Sequence, residues 1–381
     1  MTTKARTAMT PSARRLHTML FVLIAAAAIM VTLTVPATAR AAPSGPRGSA
    51  FVWANQPSSA SYLPSPAYQW NSRHSFTAVN TITRSGVGSY TVRLPDLGAV
   101  SGTVLVTAYG PGTNNCKVLS WNPSGTAQLV NIRCFTATGV LTDTRFTMSY
   151  ANHTGVAGSD LAYVWANQPT AASYVPSQPY QANSSGATNQ IQRLGTGFYL
   201  VKLPNLGRSA GHVQVTAYGP GPERCKVVSW GPNGTEQDIR VLCNTRNGTP
   251  VDTRFTLTYV RNGNVLGEPV CCQPDGNPTD YAWANQPNAA SYTPSPLYQF
   301  SIPAGQITIS RLATGSYAVH VPDTLNNGNV QVTAYGGSGS AQCKVNSWTP
   351  ATGIRALCFS TTGSPIDSLF DVSFVGPFVI G

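Results

Sequence analysis

The chain has 381 residues, 42% apolar but only 10% charged, with 35 Gly and 29 Pro. A usual charged share is about 25%, and Glu occurs only at positions 223, 236 and 268, so helix formers are nearly absent, no amphipathic helix is expected in the mature chain, and a turn-rich β protein is favoured. The formal charge of +11 includes five of the 24 basic residues within the first 41 positions (Lys4, Arg6, Arg14, Arg15 and Arg40), leaving 19 basic against 13 acidic residues, or +6. These are scattered, with no Lys/Arg run, which excludes the clustered stripe of a nucleic-acid partner and leaves a diffuse positive field suited to an anionic cell wall.

The first element in the chain is an address. Basic residues ending at Arg14-Arg15 precede an apolar run over 19–31 and the small-residue stretch Ala37-Thr38-Ala39-Arg40-Ala41-Ala42. That order reads as a secretory signal peptide over 1–42. An uncleaved anchor is the alternative, but the run is short for a spanning helix of about 20 residues. The Arg pair leaves the general secretory and twin-arginine routes both open. No membrane span is expected in the mature chain.

The remainder is one unit written three times. Val52-Trp53-Ala54-Asn55-Gln56-Pro57 recurs at 164–169 and, as Ala-Trp-Ala-Asn-Gln-Pro, at 282–287. A Tyr-Gln pair follows at Tyr68, Tyr180 and Tyr298, and Gly-x-Tyr at Gly88, Gly197 and Gly315. Val-Thr-Ala-Tyr-Gly ends at Gly110, Gly219 and Gly336; Cys-Lys-Val comes next, with a Trp five residues after each Cys; Asp-x-x-Phe closes each unit from Asp143, Asp252 and Asp367. The predicted boundaries are 43–160, 161–261 and 281–381, with a Gly/Pro/Asn-rich linker at 262–280. Units above 100 residues are whole domains, unlike the 20–50-residue repeats of solenoids.

Within each unit the hydrophobic period is two. Val104, Val106 and Ala108 alternate with Leu105, Thr107 and Tyr109, and the same alternation recurs around Val213 and Val330. Short alternating runs split by Gly, Pro and Asn predict an all-β chain of three tandem antiparallel β-sandwich domains, Ig-like or small-barrel. Parity alone leaves open whether the Tyr of each Val-Thr-Ala-Tyr-Gly meets a second sheet or solvent.

Six of the eight Cys fall into pairs: Cys116/Cys134 and Cys225/Cys243, each 18 apart, and Cys343/Cys358, 15 apart. The midpoints of the first two pairs are Gly125 and Gly234, both turn residues. A symmetric hairpin therefore places the two Cys opposite each other, where a disulfide can close. A metal site is the rival, but no C-x-x-C or Cys/His cluster occurs, and no metal or other cofactor is expected. Cys271-Cys272 sits in the linker, read as a vicinal pair or as bridges to another chain.

No nucleophile motif is present, and one recurring carboxylate per unit falls short of the pair that glycoside hydrolysis uses. The chain is therefore read as non-catalytic. The candidate ligand-binding set is Trp53, Trp165 and Trp283 with Asn55, Asn167 and Asn285, a stacking-plus-amide arrangement suited to sugars, and Asp143, Asp252 and Asp367. For each set a structural role is the alternative: the Trp residues as core, the Asp residues as acceptors of turn N–H groups, with Arg240 a further partner for Asp252. The combination Trp-Ala-Asn-x-Pro, Val-Thr-Ala-Tyr-Gly, Cys-Lys-Val-x-x-Trp and Asp-x-x-Phe resembles a tandem repeat of secreted actinobacterial proteins of uncharacterised function. The resemblance covers essentially the whole mature chain; it implies export and a β fold and carries no catalytic residues over. The expected function is a secreted binding or structural module, or alternatively a carbohydrate- or cell-wall-binding protein, with a secreted hydrolase as the third alternative; the expected partner is a cell-wall polysaccharide or an extracellular protein.

Overall fold

The period-two runs become strands in each repeat. The computed structural model describes residues 45–74, 77–155, 159–267, 278–322 and 325–376; the segment expected to be a signal peptide, 1–42, and the Cys271-Cys272 pair lie outside them. In the first repeat the strands are β1 (Gly48–Ala54), β2 (Ser61–Tyr62), β3 (Gln69–Asn71), β4 (Thr81–Gly86), β5 (Ser89–Leu94), β6 (Thr103–Tyr109), β7 (Asn115–Ser124), β8 (Ala127–Phe135) and β9 (Arg145–Asn152). The second repeat writes the same nine from β10 (Asp160–Ala166) to β18 (Arg254–Arg261), and the third from β19 (Thr279–Ala284) to β27 (Leu369–Val375). Among the described residues, helical turns are confined to three short 3-10 segments, Pro66–Tyr68, Gln178–Tyr180 and Pro296–Tyr298. None is long and apolar enough to cross a membrane.

Each repeat is a two-layer sandwich. Strands β3-β1-β9-β6 form a four-stranded sheet and β2-β4-β5-β8-β7 a five-stranded one. Between them lies a core of that repeat's own residues, including Val52, Val104, Val118, Ile132, Phe146 and Tyr150. The second and third repeats have equivalent cores around Phe255 and Phe370.

The sheets do not stop at the repeat boundary. Each of three nine-stranded sheets joins the five-stranded sheet of one repeat to the four-stranded sheet of the next. The seams are parallel: β7 meets β15 (His212–Tyr218), β16 (Arg224–Asn233) meets β24 (Asn329–Tyr335), and β25 (Gln342–Thr349) meets β6. The last of these returns the third repeat to the first. The three repeats thus close a ring with a pseudo-threefold axis, and the described residues form one compact unit. The Gly of Val-Thr-Ala-Tyr-Gly makes each seam: the N–H groups of Gly110, Gly219 and Gly336 donate to the carbonyls of Val345, Val118 and Val227 at 2.9–3.0 Å. All three hold φ between 108° and 120°, a region that suits glycine.

The predicted disulfides form: Cys116–Cys134, Cys225–Cys243 and Cys343–Cys358, each pair directly opposite in its hairpin with Cα atoms 4.0–4.1 Å apart. The hairpins are not fully symmetric. The register shifts between Val118 and Ser120, between Val227 and Ser229, and between Val345 and Ser347. This β-bulge reverses the strand's parity. Cys116 and Val118 face the core before it, and Trp121 faces the core after it, although five residues separate Cys from Trp.

Two differences from the sequence reading stand out. The repeats have their own cores, but each of their sheets continues into a neighbouring repeat. The segment assigned as linker is also largely structured where described: Asn264 and Leu266 are buried, the Ser49 hydroxyl donates to the Leu266 carbonyl, and Thr279 and Asp280 already belong to β19.

Candidate functional site

The recurring Asp closes a corner within each repeat. Asp143 sits just before β9, facing the turn between β4 and β5. Arg84 donates to both of its oxygens at 2.9 Å, the Gly88 N–H donates to Oδ1 at 2.9 Å, and the Tyr90 hydroxyl donates to the same oxygen at 3.1 Å. Asp252 is held by Arg193, Gly197 and Tyr199, and Asp367 by Arg311, Gly315 and Tyr317. The guanidinium holds each carboxyl below its usual range, Asp367 at about 2. A carboxylate already accepting from an Arg fork, an amide and a phenol has little capacity left for a ligand. Each Asp does accept a turn N–H, but from Gly88, Gly197 or Gly315 rather than from the turn at Gly139, Gly248 or Gly363 that precedes it, and the cation at Asp252 is Arg193, not Arg240, which is exposed and lies across from Leu200. A sequence signal existed: an Arg stands four residues before the turn Gly in every repeat.

The recurring Trp residues lie at the seams. Trp53 has the rings of Tyr68, Tyr109 and Trp348 at 4.9, 5.1 and 5.7 Å. Trp165 has Tyr180, Tyr218 and Trp121 at 5.0, 5.2 and 5.5 Å. Trp283 has Tyr298, Tyr335 and Trp230 at 5.1, 5.1 and 5.4 Å. In each four-ring cluster the bulge-directed Trp comes from the preceding repeat and the other three rings from the following one. The contacts are mostly edge-to-face, the geometry that ring quadrupoles favour. The Tyr of Val-Thr-Ala-Tyr-Gly is therefore a seam residue rather than a surface row. Asn55, Asn167 and Asn285 stand two residues beyond each Trp. Their Oδ1 atoms, and the three indole Nε1 atoms, are buried without a protein partner.

A third convergence lies on the pseudo-threefold axis. In β7, β16 and β25 the residues flanking the first Cys of each bridge point away from the repeat's core, as period two requires. They are Asn115 and Lys117, Arg224 and Lys226, and Gln342 and Lys344, and all six line one cavity of about 80 Å³. The three lysines are deeply buried, at 1%, 2% and 4% exposed. Each reaches the next repeat around the ring: Lys117 Nζ to Glu223 at 2.8 Å, Lys226 Nζ to the Ser338 carbonyl at 2.9 Å, and Lys344 Nζ to the Gly112 carbonyl at 2.8 Å. Burial pulls Lys226 down to about 8 and Lys344 to about 7. Arg224 has all three guanidinium nitrogens buried without a protein partner. Among the described residues, Glu223 is the one carboxylate lining this cavity.

The Cys-Lys-Val motif was visible in the sequence, but its Lys reads there as a solvated strand residue, because the axis onto which it turns exists only once the ring is closed. Among the described residues, no group of three or more His, Cys, Asp and Glu is arranged to hold a metal. Comparison with family models, with curated proteins and with solved structures yields no match.

Proposed function

We propose that this chain is exported and acts outside the cell as a non-catalytic, rigid binding or structural module. The observation that carries the reading is the closed ring of three disulfide-bridged repeats. Disulfides of this kind persist in oxidising compartments, and the ring presents three equivalent faces in fixed orientation, an arrangement that multiplies weak contacts without new chemistry. The recurring Asp and Tyr groups support it too, because each is engaged at a corner or a seam. The test is retention of the exported chain on isolated cell walls, peptidoglycan, chitin and cellulose, with the soluble fraction assayed for released sugars and peptides. Retention without release is the expected result. Release that follows the protein through purification would overturn the non-catalytic reading.

A carbohydrate-binding function is the second reading, favoured by one observation. In all three repeats an indole N–H and an amide oxygen two residues away are buried without a protein partner, a donor and an acceptor beside an aromatic cluster. Saturable binding of a soluble oligosaccharide with three sites per chain, reported by Trp fluorescence, is what this reading requires.

A further inference from the structure

We propose that the axial cavity is a binding site for one small, multiply charged oxyanion, of the sulfate or phosphate class, per chain. This goes beyond the scaffold reading and does not depend on it.

Charge, size and shape point the same way. Lys117, Lys226, Lys344 and Arg224 bring four cationic groups to the cavity against one carboxylate, Glu223, which is already paired with Lys117. Each lysine has a single protein partner among the contacts above, and an ammonium carries three donors. Arg224 contributes a planar fork of donors with no protein acceptor, the geometry that matches two oxygens of one anion. The volume of about 80 Å³ compares with the ~30 Å³ that a water occupies in the liquid. That is ample room for one tetrahedral oxyanion or a small cluster of waters. Three lysines related by the pseudo-threefold axis also suit a ligand that shares that symmetry. Asn115 and Gln342, at the position of Arg224 in the other repeats, complete the lining, each with a buried amide oxygen lacking a protein partner.

The site should favour acid solution. Lys226 and Lys344 must be ammonium ions to hold an anion, and burial brings both into the range of about 7 to 8. Arg145 adds to the lowering of Lys344, and Arg254 and Arg133 to that of Lys117. These fixed cations raise the potential at the cavity.

The experiment is calorimetric titration of the exported chain with sodium sulfate at constant ionic strength, with sodium chloride as control. Sulfate keeps its charge across the range, so pH 6 and pH 9 report the protein's protons alone. One saturable site per chain is expected, at least tenfold tighter at pH 6 than at pH 9. Arg224→Gln should weaken it by at least tenfold; the third repeat already carries Gln342 at that position, so the substitution is compatible with the fold. Lys344→Gln, with disulfides and circular dichroism checked, is the second variant. Glycerol 3-phosphate in place of sulfate tells a free ion from a phosphate pendant on a larger molecule: binding of both admits a monoester, and binding of sulfate alone confines the site to the free ion. Absence of saturable sulfate binding, a stoichiometry of three, or unchanged affinity in both variants would overturn the proposal. The retention assay on cell walls stands whichever way this comes out.

Discussion

Replacing Asp371 by Thr should stabilise the protein at neutral pH. Asp371 lies in β27 opposite Trp283 and Thr333, the place that Thr147 holds opposite Trp53 and Thr107 and Thr256 opposite Trp165 and Thr216. Both threonines donate across the axis, Thr147 to the Val330 carbonyl at 2.7 Å and Thr256 to the Val104 carbonyl at 2.6 Å. Asp371 is 0% exposed, and both of its carboxyl oxygens lack a protein partner. Burial raises its pKa well above the ordinary carboxylate value. A folded-state pKa above the unfolded one means that the folded protein holds a proton which the unfolded chain gives up. Stability is therefore undiminished below the unfolded value of about 3.9, and it falls as pH rises from there toward the folded value. Thr removes that penalty and restores a hydroxyl donor. An unsatisfied buried group costs about 1–3 kcal/mol, so at about 2 °C per kcal/mol Tm should rise by roughly 2–6 °C at pH 7. The gain should shrink toward pH 3. Thermal melts of both proteins between pH 3 and pH 8 measure it. A variant no more stable at pH 7, or a difference that does not change with pH, would refute the reasoning.

Asp252→Ala should cost about 1–3 kcal/mol at pH 7, since it strands the Gly197 N–H and the Tyr199 hydroxyl. Its folded pKa is depressed by Arg193, so its charge-dependent contribution is present above the unfolded value and lost as pH falls through the folded one; the gap to wild type should begin to narrow below about pH 4 in the same melts. Trp165→Ala should cost about 3 kcal/mol by chemical denaturation, the lower end for a large aromatic in a core because the ring is only partly buried; a neutral result would mean that the seam cluster does not hold the ring. Peptide mapping without reduction should recover Cys116–Cys134, Cys225–Cys243 and Cys343–Cys358. Removing the second pair as Cys225→Ser with Cys243→Ser should cost about 3 kcal/mol; a bridge between repeats would contradict the register.

The local parts of this architecture were legible in the sequence because they rest on short-range patterns. Alternation at Val104–Tyr109, turn glycines at the midpoints of two Cys pairs, and the triplicate markers lead to the β class and the disulfides. The ring was not legible, because each seam is one short parallel contact between residues about 100 or more positions apart, and no period announces it. Two signals were present but mute on their own. The odd spacing from Cys to Trp is incompatible with an unbroken strand that buries both, and so marks the bulge. The Arg four residues before each turn Gly marks the partner of the recurring Asp. The six strand residues flanking the first Cys of each bridge could not be assigned to the axial cavity by parity, which shows only that they face away from their own core. That they face one another depends on the ring.

A linear array of repeats has two ends. Its terminal units lack a neighbour on one side, need polar caps, and fray first. Here the first and third repeats meet through β6 and β25 as the other neighbours meet, so every repeat has a neighbour on both sides. Opening any one seam leaves the other two holding the chain in register, and the opened seam stays near its partner at high effective concentration. Adding or deleting a single repeat would not lengthen or shorten such an assembly by a step, as it does in a solenoid; it would change the angle at every seam. Copy number is therefore a geometric constant of this fold.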